Sequence, residues 1–453
     1  MRKASSILLA LCLFLLIGCN REGKPLCSSP GMIPDTHRQM NCPGFWIARN
    51  PSADKLILDP EGIALFNLKT EKKLKLTRDV SKTGPVYSGE WLVSSLREEM
   101  NVVFKQKLYS KDAKIIGKLF YREMEKQANV KVIPPEISVR YGFICNYADQ
   151  RFLPTEEIIT QKPGDLAFDE LQNSSLDIGV PLAILHESKD GLWVYAFSPT
   201  SSGWIKKSSV VFCGSDDLKA FLEKIPFVVV INAKADIFLN PGLTGYLDYV
   251  RMGAKFPFLG NLNSETAKIL IPAQTNEGKF IGRVAYLKKA DVNLGYLSYT
   301  PRNIIQQAFK LLNAPYSWGG KGGEQDCSGF IQEVFSTVGV LLPRNSSEQS
   351  KAGKLLGSFT GKTENELKMR LLDERATAGI TILQLKGHIL LYLGMFENRP
   401  YAIHDTYGYS QKQENGPDIV REINRVVVSE LSLGKGSRKG SLFERIISIR
   451  EIN

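Results

Sequence analysis

Between Thr300 and Leu431 the hydrophobic pattern of the chain passes from helical to strand-like, and this order restricts the fold more than any other feature. In "YTPRNIIQQAFKLLN" the residues Ile304, Ile305, Ala308, Leu311 and Leu312 fall on one helical face, with Phe309 at its edge. Thr300 stands in the N-cap position and Pro301 at the first helical one. A second helix is predicted over "CSGFIQEVFSTVG", where Phe330, Ile331, Val334, Phe335 and Val338 share a side and Gly339 closes the run. The stretches "ITILQLKGHILLYLGMF", "PYAIHDTYG" and "REINRVVVSEL" read as strands. Helices first and strands afterwards specify an α+β domain, placed over residues 294–453.

A glycine-rich loop joins the two helices in "YSWGGKGGEQDCSGF" and delivers Cys327 to a helix start, with Asp326 in the capping position. Unpaired amides and the helix dipole at such a place favour a thiolate, the reactive form of the side chain. The glycines leave room for a substrate backbone. Of the four histidines, His388 and His404 follow the cysteine on predicted strands. Adjacent strands would set them side by side, one imidazole as general base and the other orienting it. The same residues also suit a zinc site, with Glu324 or Asp405 as fourth ligand, although no closely spaced ligand pair is present. A buried structural cysteine is the third reading.

The 453 residues allow several domains. Residues 133–215 and 216–293 each show short apolar runs broken by turns, such as "VPLAILHES", "KDG" and "LWVYAFSP", and are expected to form two small antiparallel β-barrels. Residues 46–132 carry helical patterns and are read as an N-terminal helical stabilising domain. At the start, Arg2 and Lys3 precede "SSILLALCLFLLIG", an apolar run with the length of a secretory signal. It ends in Leu16-Ile17-Gly18-Cys19, which resembles the bacterial lipobox and implies lipidation of Cys19 and a signal over residues 1–19. Residues 20–45 read as a tether, and Asn20 by analogy favours the outer membrane of a two-membrane cell.

A net charge of +11 suits an anionic polymer or a membrane surface. No basic helix, zinc knuckle or RNA-binding aromatic motif is present, so no nucleic-acid partner is expected. Five cysteines remain beyond Cys12 and Cys19, an odd number for an exported protein. Proximity in sequence pairs Cys27 with Cys42 and Cys145 with Cys213, leaving Cys327 as the free thiol.

The blocks Tyr316-Ser-Trp-Gly-Gly, Asp326-Cys327-Ser328-Gly329, Leu342-Pro343-Arg344-Asn345-Ser346, Gly387-His388 with Tyr392-Leu393-Gly394, and His404 occur in the order seen in NlpC-type cysteine peptidases, which this chain resembles. Those enzymes are papain-like and act on bacterial cell-wall peptides. The upstream segments "RFLPT", "FDELQNSSLDIGVPLAILHESKDGLWVYAF" and "GWI" resemble the first bacterial SH3-like module of the multidomain branch. The implied fold is an α+β papain-like catalytic domain preceded by two SH3-like β-barrels and a mainly helical N-terminal segment.

The resemblance implies Cys327 as nucleophile, His388 as general base and later acid, and His404 as the orienting third member. It implies Tyr316 beside the oxyanion, and Trp318, Asp326, Ser328, Arg344 and Ser346 around the substrate, with Asp326 and Ser328 toward its amino end and Arg344 and Ser346 toward γ-D-Glu. Helix capping is the alternative role for Asp326. Asn345 departs from the Asp often found there. Glu187, Trp193 and Tyr195 are read as barrel core or surface. No cofactor or metal is implied. The expected activity is hydrolysis of the γ-D-Glu to diamino acid bond in stem peptides with a free N-terminal L-Ala, in a lipid-anchored protein of the cell envelope. A wall-binding adaptor with an inactive papain-like domain, and a thiol hydrolase cutting another peptidoglycan bond, are the alternatives.

Overall fold

A computed structural model describes residues 33–261, 263–360 and 364–453. The expected signal segment, Cys19, Cys27 and the first part of the tether lie outside those residues.

Three antiparallel sheets organise the chain. The first has seven strands in the spatial order Val210–Cys213, Arg140–Ile144, Pro181–Glu187, Trp193–Phe197, Ser202–Lys206, Ala148–Arg151 and Gln172–Leu176. Alternation within it sends Leu182 and Ile184 to one small core and Ala183 and Leu185 to another. Trp193 and Tyr195 are core residues, whereas Glu187 meets Arg140 and Lys207 at the sheet edge. The second sheet also has seven strands, and its long hairpin Thr266–Gln274 with Phe280–Lys288 is paired along its whole length.

The C-terminal sheet runs Lys354–Ser358, Ile446–Glu451, Thr381–Leu385, His388–Phe396, Arg399–Gln411 and Ile419–Glu430. Helices Pro301–Lys310 and Cys327–Ser336 bury Ile304, Ile305, Ala308, Phe330, Ile331, Val334 and Phe335 against Ile389, Leu391 and Ile403 of this sheet. The expected α+β order is therefore present. The two outer strands Lys354–Ser358 and Ile446–Glu451 lie outside the strand patterns noted above. Thr300 caps its helix through Oγ1, which accepts the Asn303 N–H at 3.2 Å.

The N-terminal segment divides between two cores. Leu92, Leu96, Met100 and Val103 form one face of helix Gly89–Phe104 and pack with Phe143, Tyr195 and Trp204 of the first sheet. Met40, Trp46, Ile47 and Phe66 instead join the core of the C-terminal unit. Residues 38–47, which run from the last part of the expected tether into the expected helical domain, are thus helical turns held by burial: Met40 and Trp46 are each only 1% exposed, and the Trp46 indole donates to the Met40 carbonyl at 2.8 Å.

The expected Cys145–Cys213 disulfide is absent, and both thiols are free. Register explains why. Cys213 stands opposite Tyr141, four residues before Cys145 on the same strand side of the ladder. At roughly 3.3 Å per residue that separates the two cysteines by about 13 Å, roughly twice the Cα separation of about 6 Å that a disulfide spans. Cys42 is disulfide-bonded, and its partner lies outside the described residues. Among the described residues no helix is long and apolar enough to cross a membrane.

Candidate active site

Helix Cys327–Ser336 begins under a carboxylate. Asp326 Oδ1 accepts the N–H groups of Ser328 at 3.1 Å and Gly329 at 2.8 Å, and Oδ2 accepts the Gly319 N–H at 3.1 Å. These bonds occupy the donors that a helix start leaves unpaired. Arg344 grips the same carboxylate, its Nη1 donating to Oδ1 at 2.9 Å and Nη2 to Oδ2 at 2.8 Å. Arg344 Nη1 also reaches Ser328 Oγ at 2.8 Å, and Nε reaches Ser174 Oγ of the first barrel at 3.2 Å. The guanidinium is 5% and the Asp326 side 8% exposed as residues, so the pair is desolvated, and its charge-assisted bonds hold Asp326 below the usual carboxylate range against the opposing effect of burial. Asp326, Ser328 and Arg344 thus form one closed cluster that fixes the helix start and ties it to the barrel.

Cys327 is 7% exposed. The helix start alone favours a thiolate, yet burial pushes this thiol well above its ordinary value, and the Asp326 carboxylate adds to the rise. The Ile389 backbone N–H acts the other way. Ile389 follows His388 on the strand that packs against the cysteine helix. His388 Nε2 lies 2.8 Å from His404 Nδ1, and His404 Nε2 lies 2.9 Å from Ser429 Oγ. The three side chains come from three neighbouring strands, so the ladder itself sets their row. Burial lowers both imidazole pKa values, that of His388 to about 4, with Arg445 adding to the effect. The His388 and His404 rings are therefore neutral at pH 7. Asp405, beside His404, is fully buried with neither carboxyl oxygen hydrogen-bonded, and burial holds it far above the usual carboxylate range.

Among the described residues no group of three His, Cys, Asp or Glu side chains is placed to hold a metal ion. The zinc reading of the same residues thus lacks its ligand set.

The glycine loop has a different use from the one its composition suggests. Gly320 and Gly323 have φ of +75° and +74°. A Cβ on Gly320 would lie 2.6 Å from Ser175 Oγ of the first barrel, and one on Gly323 would lie 2.0 Å from Tyr249 Oη of the second. Clearance expected for a substrate backbone is here filled by the two barrels. Tyr147 Oη donates to the Gly320 carbonyl at 3.2 Å, Tyr249 Oη to that of Gly322 at 3.0 Å, and Lys321 Nζ pairs with Asp169 at 3.2 Å.

Tyr316 is half-buried within electrostatic reach of Cys327, and burial raises its phenol pKa. Its ring belongs to an aromatic group centred on Phe168 of the first barrel, whose centroid lies 6.4 Å from Tyr316, 5.5 Å from Trp318 and 4.8 Å from Tyr407. Ser346 opens a short helix, half-buried, outside the Arg344 cluster; Gln349 of that helix reaches the Ser328 carbonyl at 2.8 Å. Phe168, Tyr407 and Ser429 were not singled out from sequence. Tyr407 alone had a local signal, three residues beyond His404 on the same strand. Phe168 and Ser429 reach the site only through sheet packing.

Residues 313–412 match the NlpC/P60 family, and residues 160–206 match an SH3 domain of the SH3b1 type. A gamma-D-glutamyl-L-lysine dipeptidyl-peptidase of Bacillus cereus is 28% identical over 160 residues, 33% of this chain and 44% of that protein. The bifunctional muramidase/DL-endopeptidase CwlT of Bacillus subtilis is 30% identical over 166 residues, 34% of this chain and 46% of that protein. This chain thus spans less than half the length of these curated relatives. An NlpC/P60 endopeptidase from Photobacterium damselae subsp. piscicida shares the fold with a TM-score of 0.70 at 19% identity, over 88% of this chain and 94% of that one.

Proposed function

The chain carries an NlpC/P60 papain-like domain behind an SH3b domain, and on that premise we propose that it is a cysteine endopeptidase of bacterial cell-wall peptides. The observation that carries this reading is the row His388–His404–Ser429, borne on the strands against which the helix opened by Cys327 packs.

The hydrogen-bond row admits a single neutral tautomer set in which His388 can act as a base. With Nδ1 of His388 free to accept a proton, its Nε2–H donates to His404 Nδ1, and His404 Nε2–H then donates to Ser429 Oγ. Cys327 and His388 rest as a neutral thiol and imidazole. Proton transfer from Sγ to His388 Nδ1 accompanies attack of sulfur on the substrate carbonyl, and the imidazolium keeps a hydrogen bond to His404. The tetrahedral oxyanion gains donors from the Tyr316 phenol and from the Cys327 backbone amide, the N–H groups of Ser328 and Gly329 being held by Asp326. His388 returns its proton to the leaving amine, and water releases the acyl group from the thioester by the same base.

The bond cut is the one between D-Glu and the diamino acid of a stem peptide with a free N-terminal L-Ala. In this reading Asp326 and Arg344 act as positioning residues, because their charges already satisfy one another. Phe168, Trp318 and Tyr407 wall the substrate channel. The domain order is as read from sequence, with Cys19 lipidated and the protein held at the cell envelope.

Mass spectrometry of digests of L-Ala-γ-D-Glu-diaminopimelate and of intact sacculi tests the bond. Release of L-Ala-γ-D-Glu from the free peptide, abolished by Cys327→Ala, is expected. Turnover surviving that substitution would refute the mechanism, and binding of the peptide without cleavage would favour an adaptor.

A further inference from the structure

Arg344 also lines a cavity of about 720 Å³ whose wall contains none of Asp326, Cys327 and His388. The N-terminal segment, both barrels and the C-terminal unit all contribute to it. Its volume falls within the roughly 300–1,000 Å³ typical of small-molecule sites. One part is apolar, formed by Ile178, Val180, Phe221, Leu222 and Met252.

The charges on its wall do not balance. Lys82 is paired with Asp79 at 2.8 Å, Arg251 with Asp177 at 3.0 Å, and Glu71 with Lys72 at 2.8 Å. Glu333 lies 3.5 Å from the same Arg251 guanidinium, and burial raises its pKa to about 8. Arg78, Lys224 and Lys255 remain, and among the described residues none of them has a carboxylate partner. Arg78 is the most exacting of the three. Its guanidinium carbon stands 3.5 Å from the Phe197 ring centroid, and none of its side-chain N–H groups is hydrogen-bonded to a described residue. Burial pulls its pKa down, and Glu71, which acts the other way, makes no ion pair with it. Lys255 sits at the exposed rim with Nζ 4.2 Å from the Phe227 ring centroid.

We infer that this cavity binds a small amphipathic organic anion, with a carboxylate or phosphate head at Arg78 and an apolar body along Ile178, Phe221 and Met252. A guanidinium fork with free donors suits either head group. The apolar wall gives the body its contact area.

The test is calorimetric titration of the purified protein with decanoate, decyl phosphate and decyltrimethylammonium, each below its micelle concentration. Saturable binding of decanoate or decyl phosphate, with no binding of the cation, is expected. Binding of decyl phosphate alone would assign a phosphate head, and binding of both would show that a carboxylate suffices. Arg78→Gln should weaken the anion by at least about tenfold. Lys255→Gln, at an exposed position, should weaken it by a smaller factor and carries the test if the Arg78 variant fails to fold. Absence of anion binding, equal binding of the cation, or affinities untouched by the folded variants would overturn the proposal.

Discussion

Arg344 and Asp326 face each other through two parallel hydrogen bonds of 2.9 and 2.8 Å, in a place closed to water, directly beside Cys327. Removing one member strands the other charge. Arg344→Gln is therefore expected to destabilise the protein by about 3–5 kcal/mol. Chemical denaturation would show this as a lower midpoint with an unchanged slope. Because Arg344 also binds Ser174 170 residues away, loosened docking of the first barrel should appear as faster hydrogen exchange in Gln172–Leu176.

The histidine row predicts graded kinetic losses. His404→Ala removes the acceptor that holds the His388 ring, and kcat is expected to fall on the order of 10²-fold with KM little changed. Ser429→Ala removes one outer hydrogen bond at 2.9 Å. Its loss should be nearer about fivefold, as expected for roughly 1 kcal/mol. Equal losses for both variants would contradict this order.

The pH profile follows from burial. His388 acts as base only when neutral, and its pKa is lowered to about 4. The acid limb of kcat/KM should thus lie near about pH 4 rather than at the ordinary histidine value of about 6.5. The thiol is displaced in the opposite direction. Alkylation of Cys327 by iodoacetamide should accelerate steadily from pH 7 to 9, and a plateau in that range would reveal a stabilised thiolate.

Gly323 predicts a coupling between modules. An alanine there meets both a φ of +74° and the Tyr249 hydroxyl at 2.0 Å. The backbone strain alone is about 1–3 kcal/mol. Tyr249→Ala removes the obstacle but not the strain, so the double variant should be more stable than the two single losses add up to. Thermal unfolding of the four proteins measures the difference.

Local pattern in the sequence determined much of what was found. The apolar spacing of 300–312 and 327–338, and the strand-like runs that follow, depend on side chains a few positions apart. Such patterns survive without knowledge of the rest of the chain. The same holds for Cys327 at a helix start and for His388 and His404 on strands. Two local readings failed because they relied on distance along the chain. Cys213 and the end of the strand before Cys145 are paired in the wrong register, and the expected tether contains Met40, which is buried in a core built mainly by residues beyond 300.

Only the tertiary structure decided how the site is enclosed. The amino acids between Tyr316 and Phe330 do not reveal that Ser175 and Tyr249 occupy the space the glycines leave, or that Arg344 meets Ser174 behind Asp326. They do not reveal that Phe168 covers Tyr316 and Trp318. The physical reason is the same for the thiol and the imidazoles. Desolvation sums the atoms of several modules around one group, so its direction at Cys327, His388 and His404 follows from packing that no short window of sequence contains.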